Sequence, residues 1–267
     1  MTELPFSATT PTHIAKVGLK ARDADALAKF YRQLLGLSEL ARRSGAIVLG
    51  VEGRELLEIE SAPSAKPDDP RSAGLFHTAF LLPTRKDLAR WVRHAGENRI
   101  AVTGASDHLV SEALYLNDPE GNGIEIYADR PKETWKKNGG DIAMATERLN
   151  IENLLGEIDA STPAWHDAPE ATVIGHVHLR VGDPKAAEDW WHSELGFDTM
   201  ARYGSQAVFL ASGGYHHHIG ANSWASAGAG PRDPDRAGLA YVELASSDHA
   251  GRTLRDPWGT EIRVKAV

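Results

Sequence analysis

The stretch IAKVGLKARDADALAKFYRQLLGL, from Ile14, returns in altered form as IGHVHLRVGDPKAAEDWWHSELGF, from Ile174. Each copy reads as an alternating strand, an Asp-containing turn, an amphipathic helix and a glycine stop. Leu27, Phe30, Tyr31, Leu34 and Leu35 carry the spacing of one apolar helix face, and Ala187, Trp190, Trp191 and Leu195 hold the corresponding places. Gly36 and Gly196 stand where a left-handed residue ends a helix. A second pair, GLFHTAFLLP from Gly74 and GLAYVELASS from Gly238, leads to turns of one type, DPEGNGIEIYADRP and DPWGTEIRVKAV. The chain therefore divides into four βαβββ-like modules, about 14–62, 74–131, 173–225 and 238–267, an α+β organisation. Leu88, Trp91, Val92 and Ala95 supply the helix of the second module. The fourth has almost no room for one between Ser247 and Arg255 and is truncated.

The modules group as a first pair in 1–131 and a second pair in 173–267, joined by a connection over 132–172. That connection carries KKNGGD, a stretch ATERLNIENLLGEID that reads as helical, and a Pro- and Ala-rich segment. Its length is unusual inside a compact domain. Composition narrows the chemistry. With no cysteine and 12 histidines, three of them consecutive at 216–218, a transition-metal site must use imidazole and carboxylate. A net charge of -8 without a basic run argues against nucleic acid. No apolar run reaches the ~20 residues of a membrane span. The first residues lack the pattern of a signal peptide, so cytoplasmic residence is the expectation.

Paired βαβββ modules with HVHLRV-type first strands and DPxGNxIE-type endings resemble the vicinal oxygen chelate superfamily, which includes glyoxalases, fosfomycin-resistance proteins and extradiol ring-cleavage dioxygenases. The resemblance covers nearly the whole chain. Its most specific part runs from His108 to Glu125 and matches the extradiol dioxygenase signature at His108, Leu114, Tyr115, Asp118, Pro119, Gly121 and Glu125. Ser106 departs from the usual residue set at its start. LLPTRKDL and GGYHHHIGANSW further resemble bacterial two-domain catechol 2,3-dioxygenases. The fold implied is two glyoxalase-like barrels built from the four modules.

Fe(II) oxygenases hold their metal on two histidines and one carboxylate, leaving three positions for substrate and O₂. His77, on the first strand of module two, and Glu125, on its last, fit such a set because alternation turns them to one cavity. A lone histidine in an apolar strand is more often a core residue; the coupling to Glu125 favours a ligand. The resemblance places the third ligand on the first strand of the partner module. Module one offers Lys16 there, whose ammonium cannot ligate, whereas module three offers His176. Module four has Tyr241 and Arg263 in place of histidine and carboxylate. The expected set is His77, Glu125 and His176, with modules two and three paired and modules one and four forming a degenerate partner. Two other sets stay open: Glu58 with His77 and Glu125 in a 1+2 barrel, and His176, His217 and Tyr241 in a 3+4 barrel.

Carried over through the resemblance, His217 is the acid–base residue beside the metal, and His108 and Tyr115 contact a substrate hydroxyl or bound oxygen. Strand alternation would put His216 and His218 on one face and His217 on the other. His178 and Arg180 either line the same pocket or pair with carboxylates, and Asp118, Pro119 and Gly121 form the turn. The implied activity is cleavage of a catechol-type vicinal diol with O₂ at Fe(II), or at Mn(II). The alternatives are a glyoxalase-like lyase or isomerase, favoured by a carboxylate-rich site, and a metal-free ligand-binding protein of the drug-resistance type. Self-association into a homo-oligomer is compatible with such a chain, and no feature of the sequence requires it.

Overall fold

The structure, a computed structural model, describes residues 3–43 and 45–267. Module one comprises β1 (Thr12–Ala21), α1 (Ala24–Leu35), β2 (Ser38–Arg43), β3 (Ala46–Val51) and β4 (Arg54–Ser61). Module two repeats the order with β5 (Gly74–Leu81), α2 (Arg85–Glu97), β6 (Gly104–Asp107), β7 (Ser111–Asn117) and β8 (Gly123–Asp129). The connection holds β9 (Lys137–Asn138), β10 (Asp141–Ile142), β11 (Glu147–Arg148) and α3 (Ile151–Leu155). Module three is β12 (Val173–Arg180), α4 (Pro184–Leu195), β13 (Asp198–Tyr203), β14 (Ala207–Ala211) and β15 (Ile219–Asn222). Module four is reduced to β16 (Gly238–Ser246), β17 (Arg252–Arg255) and β18 (Glu261–Ala266), without a helix.

The helices start and stop where their side chains dictate. Asp23, Thr84 and Asp183 each accept a hydrogen bond from a first-turn N–H, and Pro184 follows its cap at a position that needs no donor. Gly36 and Gly196 close α1 and α4 with φ of 74° and 63°. The connection differs from its expected helix. Within 145–159 only the five residues of α3 are helical, capped by the Asn150 side chain. Glu147 and Arg148 are drawn instead into edge pairing with Asp107 and Ser106 of β6, which satisfies backbone groups a short helix would leave open.

Two sheets result. A nine-stranded sheet, β11-β6-β7-β8-β5-β12-β15-β14-β13, joins modules two and three. A seven-stranded sheet, β17-β18-β16-β1-β4-β3-β2, joins modules one and four. Each joint is an antiparallel pair of first strands, β5 with β12 and β1 with β16. One continuous apolar core carries side chains from both sheets and from α1, α2 and α4. No helix of the described residues is long and apolar enough to cross a membrane.

The Asp118 turn ties the two sheets together. Its carboxylate accepts from the N–H groups of Glu120 and Asn122, and from the Tyr31 hydroxyl of α1 at 3.0 Å. Asp256 builds the matching turn in module four with the N–H groups of Trp258 and Thr260. Tyr31→Phe leaves the buried Asp118 one donor short. The expected loss is about 1–3 kcal/mol of stability, read from the urea midpoint.

Candidate metal centre

Strand register gathers the site. Ala79 of β5 lies beside Glu125 of the parallel β8 and beside His176 of the antiparallel β12. His77 is two residues earlier on β5 and therefore on the same face. The methyl group of Ala79 fills little of the space between its neighbours, so three longer side chains converge above it. His77 Nε2 is 3.0 Å from Glu125 Oε2, His176 Nε2 is 3.1 Å from the same oxygen, and the two nitrogens are 3.3 Å apart. All three residues are buried, and among the described residues they form the one group of histidines and carboxylates gathered closely enough for an ion.

These donors fit a metal. Adjacent ligands of an octahedral ion with bonds of about 2.1 Å stand roughly 3 Å apart, close to the spacing found. The charge state agrees. Burial alone would raise the Glu125 carboxyl, but His176 and His77 hold it well below the usual carboxylate range. Burial lowers His176 to about 4 against the pull of Glu125, leaving a neutral imidazole with a lone pair near pH 7. Its other nitrogen, Nδ1, is buried without a hydrogen-bond partner among the described residues.

Two β-bulges shape the wall. On β12 the register passes from Ile174 to His176, so Gly175 is the extra residue. A Cβ there would fall 1.8 Å from the Tyr127 hydroxyl, which requires glycine. On β5 the pairing passes from His77 to Leu75 and leaves Phe76 as the extra residue. A bulge re-aims the local side chain. Phe76 thus joins Phe209, Trp224, Val110 and Met144 around a cavity of about 430 Å³ above the triad.

His217 lines this cavity, its ring 4.0 Å from that of His176. Burial and the surrounding histidines keep it well below its ordinary value, and so neutral. His108 and Tyr115 also line the cavity, with His108 Nε2 2.6 Å from the Tyr115 hydroxyl. Burial, reinforced by the Glu125 charge, keeps that phenol protonated. His178 reaches the cavity as well, wedged against Phe76 and Trp224, while Arg180 turns away to Asp68 and the Ser72 carbonyl.

The histidine run departs from the strand alternation expected of it. Residues 213–218 are irregular, and β15 begins only at Ile219. His217 faces the cavity, His216 meets Asp129 at 2.8 Å, and His218 lies against the Ser7 carbonyl and the Thr10 hydroxyl. Asp129, Tyr127, Phe76, Phe209 and Trp224 had no part in the sequence reading of the site. A pattern E-x-Y-x-D over 125–129, with period 2 along β8, was the signal for the first two.

The other ligand sets do not assemble. Glu58 belongs to the seven-stranded sheet, 3.5 Å from Lys16 Nζ and 3.4 Å from Arg43. Tyr241 is in that sheet too, with the Arg263 guanidinium 3.5 Å from its ring centroid. Lys16 there sits 2.8 Å from Glu55 and 4.0 Å from Glu243. Where the nine-stranded sheet gathers two imidazoles and a carboxylate, this one holds an ammonium among glutamates.

Fold and site together define a class. The chain belongs to the Glyoxalase/Bleomycin resistance protein/Dioxygenase superfamily, whose family model matches residues 12–126. More particularly, it is 43% identical over 237 residues to the catechol-2,3-dioxygenase of Bacillus subtilis (strain 168), covering 87% of this chain and 82% of that one. Biphenyl-2,3-diol 1,2-dioxygenase 2 of Rhodococcus globerulus is 35% identical over 69 residues, 26% of this chain and 36% of its own. Among solved structures, glyoxalase I of Zea mays superposes with a TM-score of 0.56 at 13% identity, covering 97% of this chain and 94% of that one. That likeness concerns the fold.

Proposed function

We infer that the protein is a metal-dependent extradiol dioxygenase, opening the ring of a catechol-type vicinal diol with O₂. The observation that carries this reading is the His77–Glu125–His176 face, set beneath a cavity that also exposes a neutral histidine. Relatives named as catechol and biphenyl-diol dioxygenases support it. In this reading those three residues are the ligands, Fe(II) is the metal with Mn(II) as the substitute, and the cytoplasm is the site of action. A ferrous ion held there supplies a common binding point and an electron path for diol and O₂.

The chain's own groups do the rest. His217 takes a proton from the diol at Nε2, the ring nitrogen that His216 leaves free, and later returns it. Tyr115, paired with His108, donates a hydrogen bond at the cavity edge. Phe76, Phe209 and Trp224 hold the aromatic ring and exclude water. Both oxygen atoms enter the product as the ring bond beside one hydroxyl breaks. No lysine or arginine is among the described residues lining the cavity, which fits an uncharged diol.

The test is to load the protein with iron anaerobically, add a panel of catechols and admit O₂. A yellow ring-opened semialdehyde is expected, with carboxylated catechols turned over on the order of tenfold or more less efficiently, since an unpaired anion in an apolar wall is costly. Colourless mixtures across the whole panel would defeat the reading.

A further inference from the structure

His217 Nδ1 lies 2.7 Å from His216 Nδ1, and His216 Nε2 lies 2.8 Å from Asp129 Oδ1. We propose that Asp129 and His216 are positioning residues that lock His217 in the tautomer carrying its proton on Nδ1, so that Nε2 presents a lone pair to the cavity. This rests on the reading of His217 as the base.

The argument is one of donors and acceptors. Asp129 Oδ1 faces His216 Nε2 as an acceptor, so His216 donates from Nε2. With its ring proton on Nε2, the His216 imidazole presents Nδ1 as an acceptor. His217 must therefore supply the proton between the two rings, from its own Nδ1. The same Asp129 oxygen also accepts from the Tyr215 hydroxyl at 3.3 Å, and that hydroxyl is 2.7 Å from the Tyr127 hydroxyl. The His216 ring is buried and held between Tyr215, at 4.0 Å centroid to centroid, and Trp135, at 5.1 Å. Asp129 stands four residues from Glu125 on the same face of β8, so one strand anchors both the ligand and the relay.

Asp129→Asn inverts the relay. The amide can donate to His216 Nε2, which moves the His216 proton to Nδ1 and makes His217 Nδ1 the acceptor. His217 then carries its proton on Nε2 and faces the diol as a donor. The expected result is a fall in kcat on the order of 10²–10⁴ with the KM for the diol little changed, as for a general base left in its wrong tautomer.

The direct measurement is the tautomer itself, by long-range ¹H–¹⁵N NMR of histidine in the metal-free full chain. Wild type is expected to show His217 protonated on Nδ1, and Asp129→Asn on Nε2. His216→Gln, whose amide can donate to Asp129 and accept from His217, should keep the wild-type tautomer. Finding Nε2–H in wild type, or an Asp129→Asn protein with unchanged tautomer and kcat, would overturn the proposal. Because the NMR experiment needs neither iron nor turnover, failure to cleave any catechol would count against the base role of His217 and not against the relay.

Discussion

Glu125→Gln is expected to abolish ring cleavage and to empty the protein of iron. Glu125 is the carboxylate of the set, and one of its oxygens faces both His77 Nε2 and His176 Nε2 at 3.0 and 3.1 Å. Glutamine keeps the shape but brings no charge, and its amide group can satisfy the imidazoles as a donor. A hard divalent ion loses its anionic ligand. Groups that merely support a ligand typically change metal affinity by about 10–100-fold, so loss of the ligand itself should exceed that. Metal content by plasma mass spectrometry and turnover of catechol should fall together. The metal-free thermal midpoint at pH 7 should fall below that of metal-free wild type, because Gln removes the stability of a carboxylate that His176 and His77 hold below its usual range. Stoichiometric iron with retained activity would remove Glu125 from the ligand set.

Metal-free protein should lose stability steeply as pH falls from 7 toward 5. Burial holds His13, His176, His178, His217 and His218 below their ordinary value, His176 at about 4 and His218 at about 3. Between pH 6.5 and those values the unfolded chain carries protons that the folded chain excludes. Stability therefore drops as acidity rises. For a histidine moved from 6.5 to about 4 or 3, the loss at pH 5 is about 2 kcal/mol. Two such groups would remove a large share of a typical domain's stability. Glu125 adds to the effect at lower pH, since a carboxyl held below its usual range contributes stability that disappears as it becomes protonated. Urea midpoints at pH 7, 6 and 5 measure this. Bound metal should raise the midpoints at every pH without flattening the profile, because it too keeps the ligating imidazoles free of protons in the fold while the unfolded chain takes them up. A flat profile for metal-free protein would show that these rings are not held neutral in the fold.

Period and capping made the modules readable, and the proposed ligand set with them. α1 and α4 announce themselves by apolar spacing, an Asp cap and a closing glycine, all local properties. His77, Glu125 and His176 were accessible for a similar reason: each sits on a strand whose alternation states which way it points. What escaped depends on distant partners. Phe76 enters the cavity wall only because β5 carries one residue more than β12 at that point, which single-strand alternation cannot express. The 147–148 segment looks helical in isolation and becomes a strand because β6 offers an unpaired edge. The histidine run alternates in sequence but not in space, since the chain there answers to Asp129, Ser7 and Thr10 rather than to a sheet.

The sheet order has a consequence for how the chain comes together. All strands of the nine-stranded sheet lie between residues 74 and 222, an uninterrupted length that can collapse on itself as it is synthesised. The central ladder of the other sheet pairs Thr12 with Ser246 and Lys20 with Gly238, segments far apart in the chain. Closing so long a loop is slow and entropically unfavourable until the contacts form. β1 must wait for β16 to leave the ribosome, its apolar face exposed meanwhile. The half that holds His77, Glu125 and His176 can be finished before the half that braces it exists.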